Sequence, residues 1–247
     1  NIVRRHFYVD DCLKSSPTVS SAIPLAKDLR DLLMKGGFHL TKWTSNSREL
    51  LASIPKDERA KEVKDLDLDQ DKLPIERALG IQWSAESDEF YFKIVIKESP
   101  PTRRGILSVV SSIYDPLGLL SPVILPVKII LQELCRLKLG WDDTIPDEYR
   151  SAWLRWLEDL PKLFQLSIPR CYKPPNFEVK SSELHHFSDA SESGYGSVSY
   201  LRQESHDERI HCSLVLGKAR VTPLKTISIP RLELSAATVA VRVDSML

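Results

Sequence analysis

The chain has 247 residues, with 34 basic and 34 acidic side chains and 42% hydrophobic residues. These proportions are typical of a folded globular protein and exclude a disordered or fibrous chain. A net charge of zero is unusual for a protein that holds a phosphate backbone by counterion release, so contacts to nucleic acid would need local basic patches.

The cysteines are far apart and form no Cys-x-x-Cys pair, which argues against a zinc site or a disulfide framework. They are Cys12, Cys135, Cys171 and Cys212. The longest apolar run, from Leu117 to Leu131, contains two prolines and a lysine, so no membrane span is predicted. The chain starts at Asn1 and stops inside a predicted helix at Leu247, so we expect both ends to be cut from a longer sequence.

The first hundred residues predict strands around one long helix. Residues 2–9 have strand composition and lead to a hairpin turn at Asp10 and Asp11. Apolar positions at helical spacing predict a helix over 20–35, ended by two glycines, and a strand over 38–43.

The next segment, 56–72, is charged and predicts a solvated loop or a short exposed helix. A second hairpin follows, with arms over 78–83 and 89–96, a turn at 84–88, and a domain boundary at 99–102.

The second half predicts helices followed by a β-β-β-α unit. Helices are expected over 103–113, 122–137 and 147–166, with Trp141, Trp153 and Trp156 packed in the helical layer. A proline-rich linker at 169–175 precedes three short strands, at 184–188, 196–201 and 210–216. Pro230 then begins a helix that continues to Val243.

The segment Phe7 to Asp11 reads FYVDD, an aromatic strand that ends in two adjacent acids. An Asp-Asp pair alone is more often a solvated turn, although two crowded carboxylates are also a natural site for a divalent cation. With the preceding Tyr-Val and the β, α, β order that follows, the segment resembles the Y-x-D-D box of reverse transcriptases. The resemblance implies that Asp10, the stronger candidate, and Asp11 help to hold two Mg²⁺ ions on a palm hairpin.

Two later segments narrow the resemblance to BEL/Pao-type retrotransposons. Residues 36–46 (GGFHLTKWTSN) are similar to the stretch after the palm helix, and residues 79–83 (LGIQW) to the start of the primer-grip hairpin. This implies nucleic-acid contacts for Lys42, Gly80 and Trp83, whereas a surface lysine and a core tryptophan are the simpler interpretations. Residues 103–108 and 112–118 are also similar to that family, and there a helix followed by a tight turn is the simpler interpretation.

A second pair of acids lies in the β-β-β-α unit. Asp189 ends the first strand in the sequence FSDAS, and Glu233 lies in the first turn of the last helix, in IPRLEL. A helix packed across the sheet could bring two such carboxylates to one metal. The unit resembles RNase H, which makes Asp189 and Glu233 the first two members of its acidic set. Glycines 194 and 196 are expected to permit a tight return of the second strand.

Neither acidic set is complete. A reverse transcriptase needs a further acid from an upstream strand, and RNase H needs one from a strand after the helix. Asp244 lies on the helix itself, so it is not taken as the absent acid. The sequence also contains no Asp-Thr-Gly or Asp-Ser-Gly, the signatures of the family's aspartic peptidase.

We therefore predict an α+β fold: a partial palm over 1–98, a helical thumb and connection over 99–180, and a partial RNase H domain over 181–247. The resemblance implies a parent Pol polyprotein, in a cytoplasmic virus-like particle, that copies an RNA template with dNTPs and hydrolyses RNA in an RNA·DNA hybrid. The isolated chain is expected to be inactive. The main alternative is a non-enzymatic, degenerate or host-retained remnant that acts at most as an interaction module. A stand-alone host nuclease is disfavoured, because it would need the remaining strands.

Overall fold

The structure is a computed structural model that describes residues 2–78, 81–92, 94 and 98–247. It divides into two compact units, Asn1–Tyr91 and Phe92–Leu247. Both units mix helices with small antiparallel sheets, which confirms the predicted α+β class. In the part of the chain described, no helix is both long and apolar enough to cross a membrane.

The first unit begins with a short helix, α1 (Ile2–His6), and a minimal hairpin of β1 (Phe7–Tyr8) and β2 (Asp11–Cys12). The hairpin was predicted correctly, but the strand expected over 2–9 is helical up to His6. Strand stability depends on a neighbouring strand. The pairing with β2 covers two residues on each side, and one further hydrogen bond joins Leu13 N–H to His6 O.

Helix α2 (Val19–Lys35) confirms the predicted helix and its glycine stop. The Thr18 side chain caps its start by accepting a hydrogen bond from Ser21 N–H at 3.2 Å. After its end, Gly37 has a left-handed backbone conformation with φ +79°. The strand predicted over 38–43 is wrong. Lys42 has φ +57°, which breaks an extended run, and only Trp43 makes a bridge, a parallel one to Arg59.

The charged segment 56–72 is folded and partly buried. Its helix α4 (Lys61–Lys64), together with a 3-10 turn at Lys56–Glu58, packs beside α3 (Arg48–Ser53). A small apolar core lies among these elements, formed by Leu51, Ala60, Val63, Leu73 and Ala85. The prediction of a solvated segment missed this core because its apolar residues are few and small.

The second hairpin is present as β4 (Ile81–Ser84) and β5 (Glu89–Tyr91), which confirms the strand pair at the predicted turn. A strand that was not predicted, β3 (Ile75–Ala78), pairs with β4 on its other side. Parts of the predicted arms, residues 79–80, 93 and 95–96, lie outside the described residues.

The second unit begins with the three predicted helices: α5 (Arg103–Ser112), α6 (Ser121–Arg136) and α7 (Asp147–Asp159). Trp153 is 1% exposed and stacks on Trp156 with ring centroids 5.1 Å apart, as expected for core residues. Trp141 does not share this core, because the residue is 48% exposed and its ring lies under the Arg103 guanidinium at 4.6 Å.

A short strand, β6 (Ser167–Pro169), precedes the long antiparallel meander. The meander consists of β7 (Val179–Ala190), β8 (Gly194–Ser205) and β9 (Ile210–Val221), each longer than predicted. Helix α8 (Ile229–Asp244) packs on β7 and β8. Helix α6 packs on β9, and its Leu125 lies 3.2 Å from where a Gly194 Cβ would stand. The sheet is therefore the middle of three layers.

The helical region is joined to this sheet by a close backbone contact. A Cβ on Gly118 would lie 1.9 Å from Gly217 O, and Gly217 N–H donates to Leu117 O at 2.8 Å. Asp115 holds this turn, because its two carboxylate oxygens accept hydrogen bonds from Leu119 and Leu120 N–H at 2.9 and 2.7 Å. The simpler interpretation of residues 112–118, a tight turn after a helix, is correct.

Candidate acidic sites

The first candidate site is the β1–β2 hairpin. Tyr8 pairs with Asp11, which leaves Val9 and Asp10 as a two-residue turn. Val9 has φ +56°, an unfavourable conformation for a β-branched residue. Asp10 and Asp11 are both exposed, and among the described residues neither side chain makes a hydrogen bond or an ion pair. The hairpin thus presents two adjacent solvated carboxylates, as predicted for this turn.

The residues proposed to contact nucleic acid in this unit lie in different surroundings. Lys42 is exposed in a turn of positive φ. Trp83 lies on β4, half-buried against the small core, and its Nε1–H donates to Asp88 Oδ1 at 2.9 Å. These contacts agree with the simpler interpretation of Trp83 as a core residue. Gly80 lies outside the described residues.

The second candidate site begins with Asp189, near the end of β7. It pairs with Gly196 of β8 and is exposed, and its Oδ1 accepts a hydrogen bond from Ala190 N–H at 2.8 Å. A Cβ on Gly196 would lie 2.3 Å from Lys218 O. Gly196 is therefore needed where β9 approaches β8, and not, as predicted, for the return of β8 against β7.

Glu233 lies in the second turn of α8. Leu232 and Ala236 on this helix are buried, whereas Glu233 is exposed and, in the part of the chain described, has no hydrogen-bond or ion-pair partner. Val221, the last residue of β9, pairs with Gly194 beside the β7–β8 turn. Residues 222–228 lead from this end of the sheet, where β7 places Asp189, to the start of α8.

The Asp189 side chain does not point toward α8. Side chains alternate along a strand, so Asp189 and His186, three residues apart, point to opposite faces. His186 faces α8, since its Nε2 lies 3.2 Å from Asp244 Oδ1. Asp189 therefore points to the face on which α6 packs. Across the described ranges, no group of three or more His, Cys, Asp or Glu side chains could hold a metal ion.

The donor chemistry of both pairs nevertheless fits Mg²⁺. Magnesium prefers carboxylate oxygens and is often held by one or two of them, with water and substrate phosphates completing its shell. The side chains of Asp10 and Asp11 are exposed and have no polar partner in the part of the chain described. Asp189 uses one carboxylate oxygen to accept a hydrogen bond from the neighbouring backbone. Each pair could therefore contribute to a magnesium site that further ligands complete.

One comparison with known proteins gives a match. The model of the family described as Pao retrotransposon-like RNaseH-like domain matches residues 102–247. That range covers α5 to α8, and therefore the helical region as well as the β7–β9 sheet. Neither the curated proteins nor the solved structures contain a match to this chain.

Proposed function

The chain belongs to the family of Pao retrotransposon-like RNaseH-like domains, and we propose that Asp189 and Glu233 are two ligands of its metal site for hydrolysing RNA in an RNA·DNA hybrid. The observation that carries this proposal is topological. In a β-β-β-α unit inside the matched range, β7 carries the exposed Asp189 near its end and β9 ends beside the β7–β8 turn. Helix α8, which carries the exposed Glu233 in its second turn, follows after residues 222–228.

In this chemistry the protein's carboxylates would bind the metal ion. Asp189 and Glu233 would hold Mg²⁺, which supplies an activated water and neutralises charge on the scissile phosphate when it is bound. Because both side chains are exposed, a nucleic-acid phosphate can approach them. The protein would recognise the hybrid through its shape and backbone, as expected for A-form-like duplexes.

The first unit is proposed to derive from a reverse transcriptase palm. The family match begins at residue 102, so this proposal rests on the FYVDD motif and on the hairpin that carries Asp10 and Asp11. In the parent Pol polyprotein these acids would take part in RNA-templated polymerisation of dNTPs, in a cytoplasmic virus-like particle. Lys42, Gly80 and Trp83 are proposed contacts to the nucleic acid.

The isolated chain is proposed to be inactive in both reactions. Two-metal catalysis needs enough carboxylates to hold two cations roughly 4 Å apart. Each acidic pair here supplies two, and two carboxylates that lack a third ligand repel one another and bind metal weakly.

The test is cleavage of a labelled RNA·DNA hybrid and primer extension, in Mg²⁺ and in Mn²⁺, by this chain and by a full-length Pol product. We expect cleavage by the full-length product alone, abolished by Asp189→Asn or Glu233→Gln. Its polymerisation should be abolished by Asp10→Asn. Asp28→Asn is the matched control, because Asp28 is an exposed acid on α2 without a partner among the described residues.

Two outcomes would contradict the proposal. Turnover by the isolated chain that depends on Asp189 would show that this sequence supplies the remaining ligands itself. A full-length product whose cleavage survives both Asp189→Asn and Glu233→Gln would remove these residues from the mechanism.

A further inference from the structure

One imidazole joins three elements of the second unit. His186 lies on β7, three residues before Asp189. Its Nδ1 is 2.7 Å from Ser199 Oγ on β8, and its Nε2 is 3.2 Å from Oδ1 of Asp244, the last residue of α8. The side chain of His186 is 17% exposed and that of Asp244 is 64% exposed.

The set of Ser199, His186 and Asp244 has the composition of a nucleophilic triad but cannot act as one. Ser199 is completely buried, at 0% exposure, on the face of β8 that lies under α8. A hydroxyl in this position cannot reach a substrate, so the contacts must serve the arrangement of the fold.

The contacts favour one tautomer of the His186 ring. The carboxylate of Asp244 can only accept, so attraction to it favours the proton on Nε2. In the neutral ring Nδ1 is then an acceptor, and the Ser199 hydroxyl donates to it. Nε2 is buried and, among the described residues, makes no aligned hydrogen bond, so its 3.2 Å contact with Asp244 Oδ1 is what joins the ring to the helix.

We infer that His186 is a positioning residue, which holds the C-terminal end of α8 on β7 and so fixes where Glu233 stands relative to Asp189. A helix rises about 1.5 Å per residue, so Glu233 lies roughly 16 Å along a rigid rod from Asp244. The buried side chains of α8 are apolar, among them Leu232, Ala236 and Val243, so His186 adds a directional polar contact to a packed apolar face. This inference rests on the proposed role of Asp189 and Glu233.

Two conservative variants separate positioning from simple packing. The amide nitrogen of His186→Gln can take the place of Nε2 and keep the contact with Asp244, whereas that of His186→Asn takes the place of Nδ1 and keeps only Ser199. If His186 only fills space and hydrogen-bonds to Ser199, His186→Asn should preserve the wild-type behaviour better. If His186 positions α8, His186→Gln should preserve it better.

The first measurement is amide hydrogen exchange in the last two turns of α8, on the whole chain. His186→Asn should speed this exchange up to about fivefold, the effect of losing one weak, partly exposed polar contact, while His186→Gln stays near wild type. Equal exchange in the two variants, or faster exchange in the Gln variant, would overturn the inference. If either variant fails to fold, Asp244→Asn, at an exposed position, should raise the same exchange, and no change there would overturn it.

The second measurement is broadening of backbone NMR signals by added Mn²⁺. In the wild-type chain we expect broadening near both Asp189 and Glu233. In His186→Asn the broadening at Glu233 should weaken relative to that at Asp189, and equal loss at both would contradict positioning. If Mn²⁺ broadens neither in the wild type, the proposed metal site fails, and the exchange measurement still decides the role of His186.

Discussion

The two acidic pairs have similar sequence signals and very different structural support. Asp10 and Asp11 lie on a hairpin whose strands are two residues long, next to Val9 at positive φ. Asp189 lies on a twelve-residue strand in a sheet that has helices packed on both faces. The first pair is held by very few contacts, and the second is built into a scaffold.

The difference shows that the two acidic pairs need different amounts of surrounding structure. Adjacent carboxylates in a turn need nothing more than the turn, so the Asp10–Asp11 pair forms even where the fold around it is slight. Asp189 and Glu233 lie 44 positions apart in the sequence, so a site that uses both depends on the packing of α8 on the meander. The second site should therefore be the more sensitive to mutations far from its acids.

The largest loss of stability is expected for Gly118→Ala, which disturbs the packing of the α5–α6 turn on the sheet that carries Asp189. Gly118 has φ +68°, and its new Cβ would stand 1.9 Å from Gly217 O. Backbone strain and overpacking together should lower the free energy of unfolding by about 3 kcal/mol. Urea unfolding followed by tryptophan fluorescence and far-UV circular dichroism measures it.

Gly37→Ala is the matched control in the first unit. Gly37 has φ +79°, but no atom of the described residues lies within 4 Å of the place that its new Cβ would take, so only the backbone strain remains, about 1 kcal/mol. Similar losses in the two variants would show that the close contact of Gly118 with Gly217 does not stabilise the second unit.

A smaller effect is expected in the first unit for Glu58→Gln. Arg30 donates to both carboxylate oxygens of Glu58, at 2.6 and 2.7 Å, and Glu58 is buried. Loss of this charge-assisted pair should cost about 1–2 kcal/mol at neutral pH. Asp28→Asn on the same helix as Arg30 should change stability little, since Asp28 has no partner in the part of the chain described.

The pH dependence of this variant supplies the check. The hydrogen bonds from Arg30 lower the pKa of Glu58 below its ordinary value of 4.5. A lowered pKa in the folded state means that the stabilisation is present above pH 4.5 and is lost as the pH falls through the folded pKa. The wild type and Glu58→Gln should therefore converge in acid, and a constant difference down to low pH would refute the assignment.

The smallest effect is expected for Val9→Asn in the first hairpin. Asparagine tolerates positive φ better than a β-branched residue and is favoured in two-residue hairpin turns. Relief of strain at φ +56° should stabilise the hairpin by up to about 1 kcal/mol. Slower exchange of the Leu13 amide, which donates to His6 O, would show the gain, and Val9→Ala should give much less of it.

The sequence predicted those elements whose evidence is local. Helix α2 has its cap and stop signals in the sequence, and the three strands of the meander and Pro230 at the start of α8 were also recognised. Residues 2–6 were not, because strand composition forms a strand only beside a partner. Trp141 was misassigned because the sequence does not distinguish a surface tryptophan that is covered by an arginine from a tryptophan in the core.

The sequence suggested the four acids as metal ligands, but it did not predict how they are arranged. Alternation along β7 puts Asp189 on the opposite face from His186 and α8, which depends on the register of a long strand rather than on any motif. The contact between Gly118 and Gly217 joins residues 99 positions apart, and no local pattern marks glycines that meet in space. His186 was missed for the same reason.

The contact between the α5–α6 turn and β9 also bears on how the second unit folds. The helices and the meander can each form from contacts that are close in sequence. The hydrogen bonds from Gly217 to Leu117 and from Gln132 to Thr222 close loops of 100 and 90 residues. Closing such loops costs conformational entropy before any contact repays it. Docking of the helices on the sheet should therefore be the late, slow step of folding, and the first contact to open when the unit unfolds.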